Sequence, residues 1–404
     1  MTERQLPKLK DFLPLLQPNP IIWDPTERRL SKAHKIEDLR LIAKRRTPKA
    51  IFEYVDGGSE YEATLRKARY LFRQLELVPT VMVDVENVDT TRQILGKPAS
   101  YPWVFTPTGV TRVMHHEGEI AVARSAERFG VPYGLSVIST TLIEDVAKAA
   151  PHGRNFLGSG VPADRELGKK LFDRAKANGF EALVVYVDGA TPGARLRDRY
   201  NGLTIPPHPT LKTFVDGALH PNWWFNFFTT APISFPNVDI PPGGSVHEIS
   251  SQLGNPAASI KDFEWVVKEW GGPVVAKGMA TAKDARRLVD AGAAGVVLSA
   301  HGGRQFDQGP LPLRALPSVV QEVGKEAEVF IDTGIMNAAD MLAAIALGAT
   351  GVFVGRIYLY GLMAGGERGV DRAQEILTEQ MIRIMKLMGV TSLDQLTPDH
   401  VILP

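Results

Sequence analysis

The sequence predicts an α/β protein of the (β/α)8 TIM-barrel class, with an N-terminal helical cap and a long insertion after the fourth strand. Three observations lead there. Eight short apolar runs recur between Trp103 and Arg356. They are continuous rather than alternating, as strands buried on both faces require. Helical patterns closed by glycine lie between them, among them KDARRLVDAG (Lys283 to Gly292) and ADMLAAIALG (Ala339 to Gly348).

In chain order, residues 1–35 read as an extension and residues 36–404 as the barrel unit. Helical patterns over Ile36 to Arg45 and Tyr61 to Gln74 precede the first strand and are expected to cap the barrel. The strand runs are Trp103 to Thr106, Tyr133 to Ser136, Asn155 to Gly158, Ala182 to Asp188, Val274 to Gly278, Gly295 to His301, Glu328 to Gly334 and Gly351 to Arg356. Residues 189 to about 258 form the insertion, rich in proline and aromatics that include Trp223, Trp224, Phe225, Phe227 and Phe228. A loop that long is a lid, a satellite core or a partner surface, with membrane contact as the alternative for its aromatics. In this fold class, chemistry sits at the C-terminal ends of the strands.

Composition narrows the function. With 46 basic residues against 45 acidic ones, neither nucleic acid nor an acidic surface is expected as the main partner. The absence of cysteine excludes disulfides, thiolate metal sites, iron-sulfur clusters and haem attached through CxxCH. The leading MTERQLPKLKDFLPLL lacks the apolar core of a signal peptide, so a cytoplasmic location is expected. The most apolar long stretch, Met341 to Val354, is interrupted by Gly348 and Gly351 and is too short to span a bilayer.

The segment LSAHGGRQFD (Leu298 to Asp307) carries the clearest chemistry. His301 can accept a proton, Arg304 can hold a carboxylate, and Gly302 and Gly303 permit close approach. That is equipment for oxidising an acid at its α-carbon. His115, His116 and Glu117 suggest metal ligands, but consecutive side chains are expected to diverge there, so no metal site is expected.

Together with FEYVDGGSEYE (Phe52 to Glu62), TPTG (Thr106 to Gly109), VDGATPGARLRD (Val187 to Asp198), AKG (Ala276 to Gly278) and the DTG and GR of the last two strands, this segment gives the chain its family resemblance. From about Ile36 onward it resembles the FMN-dependent 2-hydroxy-acid oxidoreductases, the family of glycolate oxidase, lactate oxidase, mandelate dehydrogenase and respiratory L-lactate dehydrogenase. The resemblance implies noncovalent FMN, rather than FAD or a nicotinamide, and transfer of the substrate's α-hydrogen as hydride to flavin N5. It implies His301 as the base and Asp188 as stabiliser of the imidazolium. Arg304 and Arg195 would hold the substrate carboxylate, and Tyr54 would face substrate. Lys277 would stabilise the reduced flavin near N1 and O2. Thr106, Pro107, Thr108, Ser136 and Ser299 match flavin contacts. Asp332, Thr333, Gly334, Gly355 and Arg356 match the phosphate site. Oxygen, a quinone or a carrier protein would accept the electrons, and a homo-oligomer is expected, in the cytoplasm or at the membrane periphery.

The departures are concentrated near the ring. Where the family carries a QLY-type sequence, whose glutamine bonds the flavin and whose tyrosine faces substrate, this chain has Gly158, Ser159 and Gly160. The fourth-strand threonine is Tyr186, Ala300 replaces an asparagine, and Met336 stands for an arginine. Three outcomes are open: the Tyr186 ring fills the vacated space, the pocket is enlarged for a bulkier substrate, or FMN binding is weakened. Two other functions compete, oxidation of a different substrate such as a modified peptide, and a catalytically silent homologue that binds a ligand or partner.

Overall fold

The computed structural model describes residues 6, 8–16, 21–203, 211–238 and 255–404. Parts of the expected extension and insertion, including 239–254, lie outside these. Eight parallel strands close into a barrel: β1 (Trp103–Thr108), β2 (Tyr133–Ser136), β3 (Asn155–Ser159), β4 (Ala182–Tyr186), β5 (Val274–Met279), β6 (Gly295–Leu298), β7 (Glu328–Ile331) and β8 (Gly351–Val354). Each pairs with its sequence neighbour, and β8 pairs with β1. This is the TIM barrel expected from the apolar runs.

The lumen is filled by side chains. Val104, Phe156, Val184, Val275, Val297, Phe330 and Phe353 form one buried cluster inside the ring of strands. A hairpin of Arg92–Ile94 and Lys97–Ala99 adds Ile94 and Ala99 to that cluster. Its turn is tied to the start of β7, where the Leu95 N–H donates to the Glu328 carboxylate at 2.9 Å. The N-terminal end of the barrel is therefore plugged, a feature the sequence reading missed.

The opposite mouth is flanked by the N-terminal helices. Helix Ile36–Arg46 buries Ile36, Leu39 and Ala43, spaced to share one face, and packs against the C-terminal helix Arg356–Met388. Helix Ala63–Arg73 buries Thr64, Ala68, Leu71 and Phe72 in the same manner. Helix Lys49–Asp56 lies between them and brings Tyr54 to the mouth.

Several strands end sooner than expected. Val187–Asp188, Ser299–His301, Asp332–Gly334 and Gly355–Arg356 continue the apolar runs in sequence but lie beyond the strands. They form the turns that build the site. In the insertion, helices Leu211–Ala218 and Pro221–Thr229 carry an aromatic cluster. Trp223 stacks on Phe227 at 4.8 Å and donates its indole N–H to the Val113 carbonyl at 2.9 Å, so this is a satellite core. Phe225 and Phe228 remain 66% and 58% exposed on its outer side. Among the described residues no helix is long and apolar enough to cross a membrane.

Candidate active site

His301 sits at the start of a tight turn that follows β6 and has φ of +53°, a conformation a side chain adopts only when its surroundings enforce it. The enforcing contacts come from Thr333, itself at φ +69° after β7. Its hydroxyl accepts the N–H of Ala300 at 3.1 Å and of Gly302 at 3.0 Å, and donates to Asp332 at 2.7 Å. Just after β6, the Ser299 hydroxyl accepts the His301 N–H at 2.9 Å.

The imidazole is oriented by β4. Asp188 places its two oxygens 3.2 and 3.1 Å from His301 Nδ1. A carboxylate only accepts, so Nδ1 carries the hydrogen and Nε2 keeps a free lone pair. Burial by itself would raise the Asp188 carboxyl, but His301 and Lys277 more than offset it and hold the group below its usual value. Asp188 is thus a fixed negative charge. Its loop is pinned by Gln305, which donates to the carbonyls of Asp188 and Thr191 at 2.9 and 3.1 Å and accepts the Gly193 N–H at 2.9 Å.

Beside this pair stands an anion site. The guanidinium of Arg304 lies 4.7 Å from the centre of the Tyr54 ring and that of Arg195 lies 5.6 Å from it. Arg304 donates to the Tyr54 carbonyl but forms no ion pair with a carboxylate among the described residues. Burial, with the neighbouring Arg195 charge, lowers it to about 10. Burial also raises Asp198, against the pull of Arg304 and Arg195. Arg195 lies 3.9 Å from Asp198, and two half-buried cations beside one ring favour an incoming carboxylate.

The cap is latched to this turn. Gly58 approaches so closely that a Cβ there would lie 2.7 Å from the Gly303 carbonyl. Ser59 donates its N–H to Gly303 at 2.8 Å and its hydroxyl to the Gln305 carbonyl at 2.6 Å. Asp307 accepts the N–H groups of Ala63 and Thr64 at the start of a cap helix. These contacts explain why DGGS and GGRQFD occur together.

The remaining expected residues occupy the mouth in two groups. Among the residues expected at the ring, Lys277 is buried, paired with Asp332 at 2.7 Å and donating to Ser299 at 3.0 Å. Thr106 holds a buried hydroxyl with no partner among the described residues. Thr108 instead shares a 2.6 Å bond with Tyr358. Among those expected at the phosphate, Gly355 lies so near Thr106 that a Cβ would be 3.0 Å from its methyl group. Arg356 donates to the carbonyls of Val55, Gly302 and Gly57 at 2.8 to 2.9 Å, which leaves two of its five N–H donors uncommitted. The Thr333 hydroxyl is fully used, so an anion there meets main-chain N–H groups. Gly334 faces the cap, its carbonyl accepting from Arg69 at 2.7 Å.

The gap expected at Gly158 is not empty. A Cβ on Gly158 would lie 2.3 Å from the Pro107 side chain, and one on Gly134 would lie 2.5 Å from it. Pro107 is folded over both glycines. Tyr186, the last residue of β4, has its ring edge-on to His301 at 6.1 Å. A glutamine at position 158 would therefore meet Pro107 first, so the space beside Gly158 is taken by Pro107 and not by the Tyr186 ring alone.

The expectation that His115, His116 and Glu117 diverge also fails. The turn before helix Gly118–Phe129 folds the two rings to 4.5 Å and brings the ligand atoms of all three within 4.8 Å. The surroundings are cationic. Burial, His116, Arg46 and Arg29 push His115 down to about 3, and the Glu117 carboxylate accepts the Glu367 N–H at 2.6 Å. That field opposes a divalent ion.

FMN fits the residues present. An orphaned buried hydroxyl at Thr106, a buried ammonium at Lys277 and the hydroxyls of Ser136 and Ser299 suit a planar polar ring, while Gly355 and the free donors of Arg356 suit a phosphate. Fold and site together define a flavin-binding barrel oxidoreductase. The model for FMN-dependent dehydrogenases matches residues 43–403, and the chain belongs to that family. It is similar to a Mycobacterium tuberculosis protein under the provisional name L-lactate dehydrogenase, 48% identical over 398 residues, which cover 98% of this chain and 96% of that one. L-lactate dehydrogenase of Pseudomonas syringae is 35% identical over 365 residues, covering 89% and 96%. Among solved structures, the monotopic membrane protein (S)-mandelate dehydrogenase superposes with a TM-score of 0.88 at 32% identity, covering 92% of this chain and all of that one.

Proposed function

We propose that the protein oxidises a small 2-hydroxy acid, L-lactate in the first instance, to the 2-oxo acid. One arrangement carries the reading: a carboxylate-oriented imidazole, His301 on Asp188, beside the paired guanidinium groups of Arg304 and Arg195. The two arginines bind the substrate carboxylate, and Tyr54 forms the floor between them. Nε2 of His301 takes the hydroxyl proton as the carbon–oxygen bond becomes a carbonyl. Asp188 stabilises the imidazolium this creates. Bound FMN supplies the acceptor for the α-hydrogen and its electron pair. Lys277, Thr106, Ser136 and Ser299 would hold its ring, with Gly355 and Arg356 at its phosphate.

The absorbance spectrum tests this. Purified protein, or protein reconstituted with FMN, is expected to be yellow and to bleach anaerobically with L-lactate. A yellow protein bleached by neither lactate, glycolate nor mandelate refutes the substrate class, and a colourless protein after reconstitution refutes the cofactor assignment.

A second observation bears on location. Phe225 and Phe228 on helix Pro221–Thr229, and Leu219 in the turn before it, are exposed, and the structurally similar (S)-mandelate dehydrogenase is described as a monotopic membrane protein. We propose that these residues seat the enzyme on a membrane surface, with a quinone as electron acceptor. Flotation with phospholipid vesicles is expected for the wild type and lost in Phe225→Ser/Phe228→Ser. Equal flotation of both refutes this seating.

A further inference from the structure

A second polar pocket, sharing no residue with the catalytic and flavin groups, lies beneath the insertion. Three elements frame it: the C-terminal end of helix Ile36–Arg46, the turn after helix Thr111–Met114, and helix Pro221–Thr229. Arg46, Arg112, His115, His116, Asn222 and Asn226 line it, and among the described residues it has no aspartate or glutamate in its wall. The Arg46 guanidinium is half-buried and has neither a hydrogen bond nor an ion pair among the described residues. Arg112 makes one side-chain bond, to the Ala231 carbonyl at 2.5 Å, which leaves four of its five donors. Nδ1 of His116 is buried with no partner among the described residues. His115 accepts the Glu117 N–H on Nδ1 at 3.4 Å, so its own hydrogen sits on Nε2. The neighbouring carboxylate is engaged elsewhere: Glu117 lies 4.0 Å from His115 Nδ1 and accepts the Glu367 N–H.

We infer that this pocket binds a phosphate group, held by Arg46 and Arg112 with His116 and the two asparagine amides as further donors. Guanidinium groups drawn partly out of water with no carboxylate beside them are costly, and an incoming anion offsets that cost. Their forked donors match the oxygens of phosphate. A neutral His116 with its hydrogen on Nδ1 adds one more donor. The crowd of cations that opposes a divalent ion at His115 and His116 works in favour of an anion. The position of the pocket admits two sources for the phosphate. Asn222, Trp223, Asn226 and Phe227 turn one face of the insertion helix to the pocket, while Phe225 and Phe228 are exposed on the other. A phosphate bound there braces the helix from beneath, either as the headgroup of a lipid or as a free phosphate ester.

The test uses the full chain loaded with FMN, so that the flavin phosphate site is already filled. Calorimetric titration with inorganic phosphate and with sn-glycerol 3-phosphate gives the Kd, and flotation compares phosphatidylglycerol vesicles with phosphatidylcholine vesicles. In Arg46→Met/Arg112→Met the Kd for both small anions is expected to rise about tenfold or more, with the flavin spectrum unchanged. Lys44→Met/Arg45→Met removes the same charge from exposed neighbours outside the pocket and should leave the Kd at its wild-type value. Asn226→Asp, which puts a carboxylate into the wall on a partly exposed helix position, should weaken phosphate as well and covers the case in which the arginine variant does not fold. If the source is a headgroup, flotation on phosphatidylglycerol also falls in the pocket variant and not in the Lys44/Arg45 control. If it is a free ester, the two float alike while the small anions are still lost, and either result supports the pocket. Failure of the wild type to bind either small anion, or equal binding by the pocket variants and the control, overturns the inference. Phe225→Ser/Phe228→Ser leaves the lining intact and should bind phosphate normally whether or not it floats, which separates this inference from the membrane seating proposed above.

Discussion

Replacing Thr333 with valine should disable the enzyme without touching any group that meets substrate. Valine keeps the shape and the β-branching of threonine, so the strain of a φ of +69° is common to both and cancels. What changes is three hydrogen bonds. The N–H groups of Ala300 and Gly302, now 3.1 and 3.0 Å from the hydroxyl, lose their acceptor, and Asp332 loses a donor at 2.7 Å. At about 1 kcal/mol each in a half-buried setting, the loss is about 2–3 kcal/mol. For a chain of 404 residues the unfolding entropy near Tm is about 0.85 kcal/mol per kelvin, so Tm should fall by roughly 3 °C. The larger effect is on His301, which lies between the two released N–H groups and is held at φ +53° by them. Anaerobic stopped-flow reduction of the flavin by L-lactate should slow by about tenfold or more, since the base leaves its bonded position. Thr333→Ser keeps the hydroxyl and should stay near wild type in both measurements. A valine variant that melts within about 1 °C of wild type and reduces its flavin equally fast would refute the reasoning.

Three further outcomes follow from the same geometry. His301→Ala should retain FMN, read from its visible spectrum, while its reduction rate falls about 100- to 10,000-fold; near-normal reduction would remove His301 from the mechanism. Arg304→Met should raise the Kd for substrate about tenfold or more while FMN is retained, and a wild-type Kd would remove Arg304 from carboxylate binding. Gly58→Ala forces a methyl group to within 2.7 Å of the Gly303 carbonyl and should destabilise by about 1–3 kcal/mol in chemical denaturation, with slower flavin reduction; unchanged values would mean the cap latch is dispensable.

The barrel was legible because continuous apolar runs have few other uses, and the helix-closing glycines proved to be real: Gly292 and Gly348 have φ of +97° and +99°. The ends of the strands were not legible. A residue at the end of an apolar run reads alike whether the chain continues in the sheet or turns, so the sequence extends the strands through Val187 and Ser299 although these begin the turns that carry Asp188 and His301. The hairpin that plugs the lumen escaped because RQI and KPA are too short and too polar to stand out. In the site, His301 and Arg304 could be named from residue type, and Asp188, Arg195 and Tyr54 only through the family resemblance; the five do converge. Thr333 could be named only as a neighbour of the phosphate, because a threonine's sequence does not reveal that its hydroxyl will gather three partners. Pro107 was named as a flavin contact, yet its packing over Gly134 and Gly158 depends on a bulge in β1 that no spacing rule shows.

The clamp made by Arg356 has a consequence for the order in which the molecule becomes competent. It joins the start of the helix that follows the last barrel strand to Val55, 301 positions earlier in the chain, and to Gly302 in the turn that holds the base. A growing or refolding chain can therefore possess every catalytic side chain and still lack their arrangement until its two distant regions meet. Contacts of that separation form late, after local helices and early strand pairs. In a refolding experiment, flavin reduction should return after helical circular dichroism, with the interval between them measuring the time this last closure takes.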